Sequence, residues 1–359
     1  MQCSNSAAVT PLVIAHRGAS GYLPEHTLAA YYLALQQGAD AFEPDLVMTR
    51  DGVLVARHEN ELSGTTDVAQ QTRFASRRIT KQIDGAAVTG WFSEDFTLEE
   101  LKSLRVRERI AALRPHNSRF DGQFEIATFE QILRLRAAVQ RERECAAAER
   151  GRPVPAPIGL VVELKHPSHF AACGLEMAPA LVRALEAHGC ATPESGVLVE
   201  SFETGILRTL KRLTGVPLVQ LLEATGAPQD VRCAGGTQTF AEMVLPAGLA
   251  EIATYAAAIG PEKSLLIPRE ASGRLAHPTR LIADSHAHGL RVIPWTFRAE
   301  NVFLPAEART RGPDREWGDL AWEIRRFLTA GVDGFFTDQP DIGVRAREAF
   351  LAGTGRAEA

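Results

Sequence analysis

The stretch "AFEPDLVMTRDGVLVARHE" (41–59) is the most informative about the fold, because charged side chains interrupt sequence that is otherwise typical of a buried strand. Glu43, Asp45 and His58 stand among apolar residues in this stretch. Acidic side chains rarely enter a protein core without a partner. The fold must therefore bring these acids to a place where they meet a cation, solvent or a ligand.

The remaining chain alternates short apolar runs with longer helical patterns. We predict strands at 11–18, 40–49, 158–165, 196–202, 216–223, 255–261, 290–297 and 332–338, and further strand sequence at 53–59, after the turn signal Asp51-Gly52. Strand followed by helix, repeated along a chain, indicates a parallel sheet with crossover helices. The near-continuous Val, Leu and Ile of these runs favours strands that are covered on both faces. The sequence thus predicts an α/β fold, a (β/α)8 TIM barrel.

One segment, residues 60–125, breaks this rhythm. It is rich in Thr, Arg, Asp and Gln, and its clear helix follows Thr97, which forms a capping-box pattern with Glu100. The chain has 359 residues, whereas a TIM barrel takes about 250. We therefore predict a barrel domain over 11–345 with a small insertion, 60–125, after the second strand region.

Composition excludes several classes of protein. The net charge of −5 and pI of about 6.1 leave no basic field, so we expect no nucleic-acid partner. No run of about 20 apolar residues occurs, so we expect no membrane span. The start, "MQCSNSAAVTP", is too short and polar for a signal peptide, so the chain as given carries no export signal. The five cysteines show no metal or disulfide spacing, and no pattern indicates an oligomeric state.

The two acids of the second strand are two residues apart and therefore share a face. Active sites of parallel barrels lie at the C-terminal ends of the strands. Glu43 and Asp45 would repel each other there unless a cation lay between them. Mg²⁺ or Ca²⁺, which prefer oxygen ligands, would meet this need, and salt bridges to Arg or Lys are the alternative.

Other strand ends carry polar groups of complementary chemistry: His16 and Arg17, His58, and Glu163 with Lys165. Each of them alone has a structural explanation, such as a hydrogen-bonded histidine or a Glu–Lys pair. Together they suit phosphate-ester chemistry. The acids would hold a metal ion, the cations would neutralise phosphate oxygens, and the histidines would exchange protons near neutral pH.

These motifs carry a resemblance to a known family. "HRGASGYLPEHTLAAYYLALQQGADAFEPDLVMTRDGVLVARHE" (16–59) resembles the start of glycerophosphodiester phosphodiesterases and is most similar to the bacterial periplasmic type. That family shows HRG, P-E-N/H-T, G-A-D-x-x-E-x-D, T-x-D-G and H-D in this order. The later pieces "VELK", "ESF", "PWTF" and "FTDQP" also follow in order, so the resemblance covers roughly 11–345.

The resemblance implies a role for each matched residue. It assigns acid/base catalysis to His16 and His58, one divalent cation, Ca²⁺ or Mg²⁺, to Glu43, Asp45 and Glu163, and phosphate binding to Arg17 and Lys165. Trp295 and Phe202 would contact the substrate, although a core position is as reasonable for both aromatic rings. Glu25 would support the site by hydrogen bonding. One departure is Glu59, where the family usually has Asp after the second histidine.

The activity that the resemblance implies is metal-dependent hydrolysis of small-molecule glycerophosphodiesters to glycerol 3-phosphate and an alcohol. Two-histidine acid/base catalysis could proceed through a cyclic phosphate. Alternatives are a related phosphodiesterase of lysophospholipid or teichoic acid glycerophosphate, and a non-catalytic binding protein. The resemblance also implies a location in the periplasm or cell envelope. From the insertion we expect control of head-group access and no catalytic group.

Overall fold

The structure, a computed structural model, describes residues 10–354. The N-terminal segment, on which the expectation about an export signal rests, lies outside the described residues. In the part described, no helix is both long and apolar enough to cross a bilayer.

The predicted barrel is present, and its wall consists of eight parallel strands among the twelve strands of the described residues. The strands are β1 (Leu12–His16), β2 (Ala41–Glu43), β3 (Asp45–Met48), β4 (Leu54–Ala56), β5 (Ile79–Ile83), β6 (Ala86–Gly90), β7 (Gly159–Leu164), β8 (Val197–Ser201), β9 (Leu218–Leu222), β10 (Ala258–Pro261), β11 (Arg291–Val292) and β12 (Gly334–Thr337). Their order in the wall is β11-β10-β9-β8-β7-β2-β1-β12, with β3 beside β7. The prediction of a (β/α)8 barrel is therefore confirmed.

Two prolines explain where observed strands are shorter than predicted. Proline lacks the N–H that a strand donates to its neighbour. Pro44 divides the predicted strand 40–49 into β2 and β3, and Pro294 follows β11, which was predicted to run over 290–297. Backbone hydrogen bonds still join the ends of the wall. Phe297 N–H donates to Phe336 O at 2.9 Å, and Phe336 N–H donates to the carbonyl of Pro294 at 3.0 Å, so the barrel closes.

Apolar side chains fill the barrel interior in one layer. Each wall strand or its immediate extension contributes one member, and the set is Ile14, Ala41, Val161, Leu198, Val219, Ala258, Ile293 and Phe336. Strand register places these residues side by side, as in the pairs Ile14–Ala41 and Val161–Leu198. Burial of such side chains stabilises the fold by roughly 1.5–3 kcal/mol for each large one. This layer fixes the height of every residue above it.

Helices lie outside the wall, most of them between consecutive wall strands. They are α1 (Leu28–Gln36), α2 (Leu98–Lys102), α3 (Phe129–Glu149), α4 (Pro167–Ala172), α5 (Met177–Ala187), α6 (Thr204–Leu213), α7 (Gln229–Cys233), α8 (Phe240–Met243), α9 (Pro246–Ile252), α10 (Leu281–Ala287), α11 (Leu320–Ala330) and α12 (Pro340–Thr354). Thr27 caps α1 by accepting a hydrogen bond from Ala30 N–H. A larger apolar cluster between strands and helices forms the outer core.

The segment predicted as an insertion follows the hairpin β3–β4 and precedes α3. It holds the antiparallel pair β5–β6, several single-turn helices and α2, whose predicted capping box of Thr97 and Glu100 is present. Arg57 anchors its start. This fully buried side chain donates to the carbonyl oxygens of Ala56, Thr65 and Glu25, so it joins the insertion to the barrel mouth.

Gly18 offers a test of the tight turn after β1. Its φ is +82°, and an added Cβ would lie 2.7 Å from Ala30 C and 2.8 Å from Tyr31 N, which are backbone atoms. Gly18→Ala should cost more than the roughly 1–2 kcal/mol of a left-handed residue alone. Gly52→Ala is the matched control, because φ there is +79° with open space around the Cβ. Urea unfolding should show the larger loss for Gly18→Ala, and equal losses would refute the steric explanation.

Candidate active site

The site lies one layer above the apolar layer, at the C-terminal ends of the strands. Side chains two residues apart on a strand share a face. Moving two residues along from each apolar member gives the set His16, Glu43, Glu163, Glu200, Leu221, Gly260, Trp295 and Asp338. Strand pairing sets His16 beside Glu43 and Glu163 beside Glu200. The polar part of the layer therefore occupies adjacent strands on one side of the barrel mouth.

Three of its carboxylates form a group that could hold a cation. Ligand oxygens of Glu43, Glu163 and Glu200 all lie within 4.8 Å of one another, and the three side chains are buried. Glu43 Oε1 and Glu200 Oε2 are buried without a hydrogen-bond partner among the described residues. Unpaired buried acceptors are costly, and a hard divalent cation is the ligand that such oxygens fit.

The same crowding raises the pKa values of these acids. Burial raises the pKa of Glu43 well above its usual range, and the charges of Asp45 and Glu200 raise it further. Burial raises the pKa of Glu163 to about 8. Burial, reinforced by Glu163 and Asp45, also raises the pKa of Glu200. The group therefore binds protons readily and would release them to a cation.

Asp45, predicted as a metal ligand, has partners within the protein. Its Oδ2 accepts from His26 Nε2 at 2.8 Å and lies 3.3 Å from Arg17 Nε. Burial alone would raise the pKa of Asp45, but His58, Arg17 and His26 together lower it well below its usual range. Asp45 is thus the acid of the site that is held ionised. Its predicted role as a ligand remains a prediction.

Arg17 lies at the centre of these contacts. Its φ is +59°, a left-handed conformation that is uncommon outside glycine. Its backbone N–H donates to Glu43 Oε2 at 2.8 Å, and its guanidinium donates to Glu25 Oε2 at 3.1 Å. Glu25, expected to support the site by hydrogen bonding, makes this contact, and its supporting role stays a prediction.

The two histidines face the mouth in matching arrangements. His16 Nδ1 pairs with Asp338 Oδ1 at 2.7 Å, and His58 Nδ1 pairs with Glu59 Oε1. An ionised carboxylate can only accept, so each Nδ1 carries the proton and each Nε2 is the unprotonated, basic nitrogen. Burial and Arg17 lower the pKa of His16 to about 4. Burial and the cations Arg17 and Lys165 lower the pKa of His58 to about 3. Both rings are neutral bases.

Lys165 joins the acids to the histidines. Its ammonium lies 2.8 Å from Glu163 Oε1 and donates to His58 Nε2 at 3.3 Å. Burial alone would lower the pKa of Lys165, but Glu163 and Asp45 raise it, so the ammonium stays charged. The Glu163–Lys165 pair that the sequence allowed as a structural alternative is therefore present, and it lies within the site.

A cavity of about 800 Å³ opens above this layer. His16, Arg17, His58 and Lys165 line it, together with Glu43, Glu163, Glu200, Phe202 and Trp295. Phe202 and Trp295 are in edge-to-face contact at 5.7 Å between ring centroids, and both are partly exposed to the cavity. The structure thus brings all predicted site residues to one mouth, with Asp45 buried beneath.

Four residues at the mouth were not singled out in the sequence. Glu200 and Asp338 lie in the quoted motifs "ESF" and "FTDQP", and the period of two from Leu198 and Phe336 would have identified both. Arg109 and Arg114 belong to the insertion, where no pattern distinguishes them from its other arginines. Only the folded chain shows that they reach the site.

Comparison with known proteins places this geometry in a family. Residues 16–342 match the glycerophosphoryl diester phosphodiesterase family. The chain belongs to this family, and the predictions of the family and of an enzyme of the phosphodiesterase class are confirmed. It is 32% identical to glycerophosphodiester phosphodiesterase GDPD6 of Arabidopsis thaliana over 91% of this chain and 83% of that protein. It is 28% identical to glycerophosphodiester phosphodiesterase of Haemophilus influenzae over 93% and 88%.

Solved structures show the same fold. A phosphodiesterase from Oleispira antarctica, in complex with the product sn-glycerol-3-phosphate, superposes with a TM-score of 0.61 at 21% identity, covering 94% of this chain and 97% of that one. A candidate glycerophosphoryl diester phosphodiesterase from Silicibacter pomeroyi gives a TM-score of 0.64 at 24% identity over 96% and 95%.

The raised pKa values of the acids predict how stability depends on pH. A group whose folded pKa exceeds its unfolded value of about 4.3 binds an extra proton in the folded state, and that stability is lost as pH rises through the folded pKa. With a chelator present, the midpoint temperature of unfolding should decrease as the pH rises from 7 to 8.5, the upper part of the range over which Glu163 titrates. Both histidines are neutral there in the folded chain and mostly neutral in the unfolded chain, and their residual protonation in the unfolded chain near pH 7 acts in the opposite direction.

Excess Ca²⁺ or Mg²⁺ should oppose this loss, and cation affinity should rise over the same pH interval. Glu200→Gln should weaken binding roughly tenfold or more by calorimetric titration. Glu316→Gln, on the exposed surface, is the control. A cation affinity that is the same at pH 7 and at pH 8.5, and unchanged in Glu200→Gln, would contradict a cation site at these acids.

Proposed function

We propose that this protein hydrolyses glycerophosphodiesters to glycerol 3-phosphate and an alcohol, with one divalent cation bound at the acids of the barrel mouth. The observation that supports it most is that two neutral histidines and three clustered carboxylates line one cavity together with Arg17 and Lys165. Family membership supports the same substrate class. The Oleispira antarctica relative was solved with sn-glycerol-3-phosphate, the expected product.

The cation would be held by Glu43, Glu163 and Glu200, with Asp45 beside them. Ca²⁺ and Mg²⁺ both suit an all-oxygen set. A cation bound there polarises phosphoryl oxygens and offsets the charge that develops on them. Arg17 and Lys165 add fixed positive charge on the histidine side of the cavity, where it can neutralise a phosphate anion.

The histidines would move the protons. One takes the proton of the glycerol 2-hydroxyl through its unprotonated Nε2, and this oxygen attacks the neighbouring phosphorus. The new ring has five members, so closure costs little entropy. The other histidine, protonated beside the anionic substrate, gives its proton to the leaving alcohol. Water then opens the cyclic phosphate while the histidines exchange roles. Asp338 and Glu59 stabilise each imidazolium through Nδ1–H.

Two alternatives concern the substrate and the activity itself. Apolar side chains such as Ile267, Leu275 and Val302 also line the cavity, and this is the observation that favours a lysophospholipid over a small head group. A non-catalytic binding protein would have no use for two neutral histidines with fixed tautomers. The resemblance to periplasmic relatives favours a location in the periplasm or cell envelope, and this stays a prediction.

Turnover with and without a chelator tests the function. The protein should cleave glycerophosphocholine, glycerophosphoethanolamine or lysophospholipid only with a divalent cation present. His16→Ala and His58→Ala should each lower kcat about 10²–10⁴-fold with unchanged far-UV dichroism. His188→Ala, a histidine that pairs with Glu130 on the outer surface, is the matched control. Full activity after chelation, or in both site variants, would overturn the proposal.

A substrate analogue tests the cyclic route. A phosphodiester of propane-1,3-diol lacks the hydroxyl next to the ester, so it should bind as an inhibitor and be cleaved at a negligible rate. A glycerophosphodiester with the same leaving alcohol is the control. Cleavage of both compounds at similar rates would mean that water attacks phosphorus directly.

A further inference from the structure

Two arginines of the insertion reach into the barrel mouth. Arg109 donates to Glu25 through Nε and Nη2 at 2.8 and 2.6 Å, and its Nη1 lies 2.6 Å from Glu59 Oε2. Arg114 is buried and donates to Glu300 Oε1 at 2.6 Å and to Asp338 Oδ2 at 2.5 Å. Both arginines therefore contact a carboxylate that belongs to the barrel and not to the insertion.

The two barrel carboxylates are those that hold the histidines. Glu59 accepts from Arg109 on Oε2 and from His58 Nδ1 on Oε1. Asp338 accepts from Arg114 on Oδ2 and from His16 Nδ1 on Oδ1. The chain thus builds the relay Arg–carboxylate–His twice, once for each histidine.

The arginine end of each relay has a physical task. The Glu59 side chain is 38% exposed, so it could turn its carboxylate into solvent and release His58 if Arg109 did not hold the other oxygen. Guanidinium donors are rigid and planar, and they fix the plane of the carboxylate they bind. A fixed carboxylate in turn fixes the ring plane and the Nδ1–H tautomer of its histidine.

The charged groups around each histidine are consistent with these roles of the arginine and the carboxylate. Around His58 lie Glu59, Lys165, Arg17 and Asp45. Around His16 lie Asp338, Arg17 and Arg298. In both cases one carboxylate accepts from Nδ1, and on His58 the Lys165 ammonium contacts the opposite nitrogen, Nε2. Asp338 has a second arginine, Arg298, at 2.9 Å, whereas Glu59 has Arg109 as its arginine partner in the ion pairs of residues 10–354.

We infer that Arg109 and Arg114 are positioning residues for His58 and His16, so that the insertion completes the acid–base pair of the barrel. The inference rests on the proposed function for its catalytic consequence only. It revises the expectation that the insertion solely shapes head-group access. The reaction chemistry stays with the barrel residues, and the insertion sets the orientation in which they act.

Arg109→Met is the sharper test, because Arg109 is partly exposed and Glu25 keeps Arg17 as a partner. With ¹⁵N-histidine labelling, the imidazole nitrogen signals of His58, assigned by their loss in His58→Gln, should show the Nδ1–H tautomer in the parent protein. In Arg109→Met they should show a mixture of tautomers. kcat should fall about 10–100-fold, as for other groups that orient a catalytic residue, with KM and cation affinity little changed. Arg109→Lys should recover part of kcat.

Arg77→Met is the matched control, since it also removes a two-pronged arginine–carboxylate pair of the insertion, with Glu100, but no histidine is attached. It should keep the parent tautomer and kcat. Arg114→Lys tests the second relay while leaving a charge beside buried Glu300. A folded Arg109→Met protein with the parent tautomer and kcat would overturn the inference. Because the tautomer is read without substrate, a failure of the proposed phosphodiesterase activity would leave the spectroscopic result intact and is distinguishable from a failure of the relay.

Discussion

The pleat of a closed parallel barrel is the constraint on which the rest of this structure depends. Side chains alternate between the interior and the helix side, so every strand contributes to the same interior layers. Once Ile14, Ala41, Val161 and Leu198 fill one layer, the residues two positions later must share the next. His16, Glu43, Glu163 and Glu200 have those positions. Apolar packing below therefore creates the polar site above.

That layer brings like charges close together, and nearby cations and raised pKa values offset the repulsion between them. Neighbouring strands are about 4.8 Å apart, so acids on adjacent strands cannot all be ionised without a cation. Arg17 and Lys165 supply two fixed charges. Arg17, together with His58 and His26, keeps Asp45 ionised, while the pKa values of Glu43 and Glu200 stay high. The remaining unpaired oxygens are what a divalent cation would complete. Cation binding there would therefore be coupled to protonation and to the stability of the fold.

The insertion contributes to the same balance from outside the barrel. Its arginines neutralise Glu25, Glu59, Glu300 and Asp338, acids that surround the mouth and would otherwise add to the repulsion. Arg57 ties the start of the insertion to the barrel backbone, so the segment is fixed where these arginines act.

Local pattern was sufficient for the elements of the barrel, because strand and helix periodicity are properties of short segments. The eight strands, the hairpin at Asp51-Gly52 and the capping box at Thr97 could be read in this way. The ordered motifs also brought His16, His58, Glu43 and Glu163 into one hypothesis, since parallel strands must end at the same edge. Pro44 and Pro294 marked in the sequence where hydrogen bonding would break, although the strand boundaries were drawn across them.

Tertiary structure alone decided which distant groups meet. The register between β7 and β8 brings Glu200 to Glu163 and makes it a candidate ligand, while the contact of Asp45 with His26 engages one of its oxygens inside the protein. Arg109 lies 50 residues from Glu59, and Arg114 lies 224 residues from Asp338, the carboxylates that they contact. No periodicity connects the irregular segment that holds these arginines to a barrel strand. The sequence by itself determined the barrel and the kind of chemistry at its mouth. The partner of each charged group depended on register and loop path, because those are set by packing over the whole chain and not by neighbours in sequence.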